Sequence, residues 1–273
     1  MNKFQPHILP VYPPSNFKIF EEWFAENYKG CNTDRELLPI FPTSFHVNNE
    51  YGAKANELQE YCDTLDESKK YFIICQYDDG CLVDFKCKYV LEFNMSKKIG
   101  VELPLLCQPH PYRFYSDKKY IASFIGSKTH PIRNELEKFK DKDGWYISFE
   151  PHSIEDYCRV LHESVFSICP RGYGANSFRI SESLQYGAIP VYLSDEFIIP
   201  FNADFLPKSL PGWWILVSSI LAGNLPYEIN KIPGDAIMAL QNAGEVAYNE
   251  YYTYQGCMNQ IIKILEKESA SKA

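Results

Sequence analysis

The chain has 273 residues, 45% of them hydrophobic, and a formal net charge of −8. That is enough for two domains of ordinary size, and no stretch approaches the ~20 apolar residues of a membrane span. The acidic balance excludes the basic face that nucleic-acid binders need for phosphate contacts and favours neutral over polyanionic polymer substrates.

In chain order, Pro10–Pro14 reads as an extended opening segment. Met1–Pro6 lacks the apolar run of a signal peptide, so the expectation is a cytoplasmic protein with no anchor. Phe17, Ile19, Phe20, Trp23 and Phe24 recur at helical spacing, which predicts a helix to about Tyr28. Tyr71–Cys75 is a short apolar run, predicted as a buried strand, and it ends in the turn-forming Gln76–Gly80. Lys88–Phe93 alternates like a strand. Leu103–Pro111 holds three prolines and reads as irregular connection.

A second unit begins near Lys118, which divides the chain into 1–117 and 118–273. Tyr120–Ile125 is a strand closed by Gly126–Lys128. Pro131 opens a helix with Arg133 in its first turn. Trp145–Phe149 is the next strand. Ser153 caps a helix running to about Glu163, with Asp156 three residues on in a near-capping box. Val165–Cys169 is a third strand. A helix from Ser177 to Tyr186 stops at Gly187, and Ala188–Leu193 is a fourth strand. Trp213 and Trp214 precede Ile215–Val217, a buried strand. A C-terminal helix over Ala247–Glu268 is expected to cross back to the first domain. Alternation of strand and helix predicts an α/β fold with parallel sheets.

The nine cysteines form no CxxC pair, so they read as buried thiols in a reducing compartment. Asp141 and Asp143 make a D-x-D string inside a charged turn. The solvated turn is the better reading, and no other group has metal-ligand spacing.

In a parallel sheet, ligands sit beyond the carboxyl ends of the strands. Gly126-Ser127, Pro170-Arg171-Gly172 and Ser194-Asp195 should therefore share one edge. Gly172 and Gly174 permit backbone conformations that admit a phosphate. The helix that follows offers free N–H groups to an anion, and Asn176 or Ser177 can cap it. Arg171 and Arg179 supply forked donors suited to a diphosphate. Glu182 shares a helix face with Arg179 and can accept from a ribose diol. On that reading Glu182→Ala weakens UDP binding and leaves the fold intact. Tyr173 is a candidate donor contact. A capped helix after a glycine turn, with an Arg179–Glu182 surface pair, is the plain alternative.

The strings Phe166–Gly174, Ser177-Phe178-Arg179 with Glu182, and Gly187–Tyr192 resemble the exostosin family, glycosyltransferase family 47. Phe124 to Gly126 followed by Arg133 is similar to a further family segment. The resemblance covers roughly residues 120–200 and matches a short soluble type known from microbes and large algal viruses. It implies a GT-B fold, two Rossmann-like domains facing a central cleft. It also implies an inverting transfer from a UDP-sugar, UDP-xylose first, to a hydroxyl of a glycan or glycoprotein acceptor. Gly126, Arg133, Arg171, Gly172, Tyr173, Gly174, Asn176, Ser177, Arg179 and Glu182 then hold the nucleotide sugar. The arginines replace a metal, with no cofactor required. The catalytic base is Asp78 or Asp79, with His46 and His110 as weaker candidates. The other reading is an inactive nucleotide- or glycan-binding module or transferase subunit. No partner protein is indicated.

Overall fold

The structure is a computed structural model that describes residues 18–85, 89–201 and 212–271. The expected segment Pro10–Pro14 and Cys87 lie outside these residues. The chain forms two compact units, one from 1–108, 198–203 and 254–273, the other from 109–197 and 204–253. The first segment of the first unit ends at Gln108, whereas the sequence places a boundary at 117, and the chain returns to that unit twice more.

The first unit carries strands β1 (Arg35–Leu37), β2 (Lys70–Cys75), β3 (Val90–Asn94) and β4 (Val101–Glu102) in the order β1-β2-β3-β4, all parallel. Helices α1 (Phe20–Asn27), α2 (Pro42–Asn48) and α3 (Ala55–Cys62) accompany them. β2 is buried from Tyr71 to Cys75, as a continuous apolar strand covered on both faces should be. Ile73 and Cys75 pack with Leu38, Phe45 and Leu58. Phe72 meets Phe24 and Phe93 edge-on.

The C-terminal helix spans Tyr254–Ala270 and belongs to this unit. It is separate from the helix Gly234–Ala247. A π-helical turn over Tyr248–Tyr252 and the extended Thr253 intervene. The single helix expected from Ala247 onward is therefore two elements. Periodicity runs through the junction, but the extended backbone at Thr253 breaks the hydrogen-bond ladder. Tyr254 wedges against Phe20 and Trp23, and Arg35 makes a paired contact with Glu268 at 2.7 and 2.8 Å.

The second unit carries β5 (Tyr120–Ile125), β6 (Trp145–Ser148), β7 (Ser164–Pro170), β8 (Ile189–Ser194) and β9 (Ile215–Ser218). They form one parallel sheet in the order β6-β5-β7-β8-β9. Helices α4 (Pro131–Asn134), α5 (Ile154–His162) and α6 (Phe178–Gln185) link successive strands. Ser153 Oγ accepts from the Asp156 amide at 3.0 Å, as a cap does; Asp156 then takes the Ser153 hydroxyl proton at 2.6 Å rather than closing a full capping box. Gly187 ends α6 with φ at +66°, a left-handed stop. The core gathers Phe124, Leu136, Trp145, Phe166, Ile168, Val191 and Val217.

The α/β class with two parallel sheets is as expected. The two sheets differ in one respect that matters for a ligand. Among the described residues the first runs in sequence order without reversal, whereas the second starts at β5, adds β6 on one side and β7 on the other. A crevice opens where strand order reverses, beyond the strand ends. In this protein that point lies between the ends of β5 and β7.

Candidate functional site

The β5 end is Ile125–Ser127 and the β7 end is Pro170–Gly172. Arg133, set by the first turn of α4, bridges them. Its Nη1 donates to the Ser127 carbonyl at 3.0 Å, Nε to the Arg171 carbonyl at 2.9 Å, and Nη2 to the Pro170 carbonyl at 3.3 Å. α4 starts at Pro131 with His130 as its cap, the ring Nδ1 accepting from the Ile132 amide. Arg133 therefore laces the two strand ends together with its own donors. Burial, then repulsion from Arg179, pulls its pKa down to about 10.

Arg179 lies in the first turn of α6 and donates to the Ile125 carbonyl. Its guanidinium sits 4.7 Å from the Phe124 ring centre and 5.2 Å from that of Tyr157. Arg133 approaches Phe124 at 5.9 Å. Phe124 is thus shared by two cations, an arrangement in which the ring quadrupole offsets part of their repulsion. Arg171 is ion-paired with Asp195 beyond the end of β8 and donates to the Tyr173 carbonyl at 3.0 Å. That cation, by hydrogen bond and charge, holds the Asp195 carboxyl below its usual range. Three strand ends and three arginines are brought to one edge, as the fold rule anticipates.

The glycines act differently from expectation. Gly172 does not adopt a left-handed φ. A Cβ there would lie 3.4 Å from Arg133 Nη2, an ordinary contact that a methyl could make. At Gly126 a Cβ would lie only 2.9 Å from Arg179 Nη2. Gly126 is therefore a spacer for an arginine, whereas Gly172 only adjoins one. Gly174 and Asn176 are buried in the loop, and Tyr173 is 71% exposed on it. Ser177 is the N-cap of α6 by position, but its hydroxyl makes no cap bond; the Asn176 side chain accepts the Ser177 amide at 2.8 Å.

Glu182 is 1% exposed. Its carboxylate accepts from His110 Nε2 at 2.9 Å and from the Tyr157 hydroxyl at 2.6 Å. Burial pushes its pKa up, but these two hydrogen bonds and the Arg179 charge outweigh burial and hold it below 4.5. The surface Arg179–Glu182 pair is therefore corrected to a buried cluster of Glu182, His110, Tyr157 and Arg179. The expectation that Glu182→Ala leaves the fold intact is corrected with it, since alanine would strand two buried donors. His110 is buried, and Gln185 brackets its backbone through 2.8 and 3.1 Å bonds. Nothing in one sequence pairs positions so far apart.

In the first unit, Tyr77–Gly80 is a turn closed by the Gly80 amide on the Tyr77 carbonyl at 3.0 Å. Asp78 and Asp79 are its central residues, half-buried, and Gly80 has φ at +76°. His46 is buried and donates from Nε2 to the Cys81 carbonyl at 2.7 Å. Asp141 and Asp143 are exposed in a turn. Among the described residues no group of three or more His, Cys, Asp or Glu side chains could hold a metal, and no helix is long and apolar enough to cross a membrane. The eight described cysteines are free thiols, all buried except Cys31.

Residues 80–206 match the Exostosin GT47 domain. The chain is 25% identical over 219 residues to the Exostosin-1 homolog of Caenorhabditis elegans, covering 66% of this chain and 56% of that protein. It is 34% identical over 97 residues to Exostosin-1 of Drosophila melanogaster, covering 36% of this chain and 12% of that one. The chain thus spans about half the length of the first relative and a small part of the second. The crystal structure of the GtfA/B complex resembles it with a TM-score of 0.40 at 13% identity, over 80% of this chain and 48% of that one.

Proposed function

We propose that this chain is an inverting glycosyltransferase of the exostosin GT47 type, with a GT-B architecture and a UDP-sugar donor held by the second unit. The observation that carries the reading is the convergence of Arg133, Arg171 and Arg179 on the switch point of the second sheet, beside the N-terminus of α6. Anions favour such a place: the first-turn amides of a helix point outward, and the dipole end is positive. The domain match covers this region.

On this reading the departing diphosphate gains negative charge as the anomeric bond breaks. Arg171 and Arg179, with the first amides of α6, stabilise that charge. Arg133 keeps its donors on carbonyls and contributes position and field. Tyr173 contacts the donor, and Gly126, Gly172 and Gly174 give the arginines and the diphosphate room. Asn176 and Ser177 orient the first turn of α6. Glu182 acts from behind, fixing Tyr157 and Arg179. The acceptor hydroxyl, from a glycan or glycoprotein, loses its proton to Asp78 or Asp79 as it attacks in line. UDP-xylose is the first donor to try, by resemblance to short relatives, and no cofactor is required.

Calorimetric titration with UDP, GDP, ADP and CMP, with and without a chelator, tests the reading. Selective UDP binding that survives the chelator is expected, weakened about tenfold or more in Arg171→Ala, since charge-assisted bonds carry about 1.5–3 kcal/mol. Binding without transfer from any UDP sugar would favour an inactive binding module. No nucleotide binding would overturn the reading.

A further inference from the structure

The turn that carries Asp78 and Asp79 is held at both ends by buried polar side chains from helices that precede it in the chain. At its start, the Gln76 amide donates to Glu21 Oε1 at 2.6 Å and lies 3.1 Å from Thr43 Oγ1. Glu21 also accepts the Thr43 hydroxyl, and its second oxygen takes the Thr43 amide at 3.3 Å. The Gln76 side chain accepts from the Phe20 amide at 3.2 Å and donates to the Leu106 carbonyl at 2.8 Å. At the far end, His46 holds the Cys81 carbonyl. Glu21, in the first turn of α1, is 3% exposed; Thr43 and His46 belong to α2, and His46 is fully buried.

A buried carboxyl costs several kcal/mol unless hydrogen bonds repay it, and an apolar residue would fill the same volume without that cost. What an apolar residue cannot do is fix a backbone amide at a strand end. Gln76 is the first residue after β2, where the ladder to β3 stops. Its amide has no strand partner to hold it, and Glu21 and Thr43 take that role. The turn is then clamped over six positions, Gln76 to Cys81, with both aspartates between the clamps.

We propose that Glu21, acting with Thr43, is a positioning residue for the Gln76–Cys81 turn, holding Asp78 and Asp79 in the one geometry from which a carboxylate can take the acceptor proton. The catalytic part of this claim rests on the transferase reading above; the clamp itself does not. A displacement near 1 Å at a reacting group costs about a hundredfold in rate, so a loosened clamp acts on turnover. It leaves nucleotide affinity alone, because the arginines belong to the other unit.

The test uses the full chain with Glu21→Ala, Glu21→Gln and Thr43→Val. Thr43→Val keeps the helix and removes one hydroxyl, so it remains informative where Glu21→Ala fails to fold. Amide hydrogen exchange at Gln76–Cys81, UDP affinity by calorimetry, and kcat and KM with UDP sugars are measured together. Exchange in the turn should rise about tenfold or more in Glu21→Ala and Thr43→Val. In the same variants kcat should fall about tenfold to a hundredfold, with UDP affinity and donor KM unchanged. Glu21→Gln, which keeps an acceptor for the Gln76 amide but turns an NH2 towards the Thr43 amide, should recover part of both. Unchanged exchange in Glu21→Ala and Thr43→Val overturns the proposal. Faster exchange with unaltered kcat overturns it too, leaving Glu21 a brace of the turn with no part in turnover. A wild type that transfers no sugar sinks the transferase reading instead, and the exchange comparison then decides the clamp by itself.

Discussion

Glu182 uses both carboxylate oxygens inside the fold, and that decides how a mutation there behaves. The groups facing it are His110, Tyr157 and Arg179. Its folded pKa lies below the free value of 4.5, so the native state prefers the ionised form. The stabilisation is present above pH 4.5 and is lost as pH falls through the lower folded value. Glu182→Gln keeps the shape but cannot accept from both donors. It should cost about 2 kcal/mol at neutral pH and make the loss of stability below pH 4.5 shallower. Chemical denaturation at a series of pH values reads both. A variant as stable as the wild type at pH 7 would show that the buried cluster is not worth its desolvation.

At the scale of elements, the two glycines of the site make unequal predictions for one substitution. Gly126→Ala drives a methyl to 2.9 Å from the end of Arg179, while Gly172→Ala meets Arg133 at 3.4 Å. The methyl also meets the buried Phe124 ring at 3.2 Å, so it displaces the Arg179 guanidinium within the cluster and presses on the core beside it. Gly126→Ala should therefore weaken UDP binding several-fold and cost about 1–3 kcal/mol in stability, as overpacking does. Gly172→Ala should change both less. Equal effects on affinity would remove the spacer role.

The same elements show what was legible. β5, β7 and β8 read from sequence because each is a short apolar run bounded by turn residues, and a parallel sheet then fixes which ends meet. β1, three residues of which Arg35 and Glu36 are charged, carries no such signal; it exists because β2 pairs with it. The glycine loop was legible as a site but not in its mechanism, since spacing cannot show a guanidinium filling the place of a side chain. Pairings across the chain, Glu182 with His110 and Glu21 with Gln76, leave no local pattern at all.

Across the whole molecule, two of the buried carboxyls, Glu21 in the first unit and Glu182 in the second, give opposite pH slopes. Glu21 faces Thr43 and Gln76, with Glu22 and the Cys75 and Cys81 thiols nearby. Burial lifts its pKa from 4.5 to about 7 against the opposing hydrogen bonds. The native state then binds more protons than the unfolded state between these values. The contribution of Glu21 to the first unit falls as pH rises from 4.5 to about 7, by up to about 3 kcal/mol, and His46, whose pKa burial lowers, offsets part of that fall. Glu182 acts in the other direction and below 4.5. Nucleotide, if bound by the second unit alone, stabilises that unit by about 2.7 kcal/mol at a hundred times its Kd. Scanning calorimetry at pH 5 and pH 7.5, with and without UDP, should therefore separate two transitions. One moves down with rising pH and ignores UDP; the other moves up with UDP and changes little between these pH values. Glu21→Gln should flatten the first and leave the second alone. A single transition shifted by both variables would mean that the two units unfold as one cooperative body, and that a carboxyl in the first feels a ligand on the second.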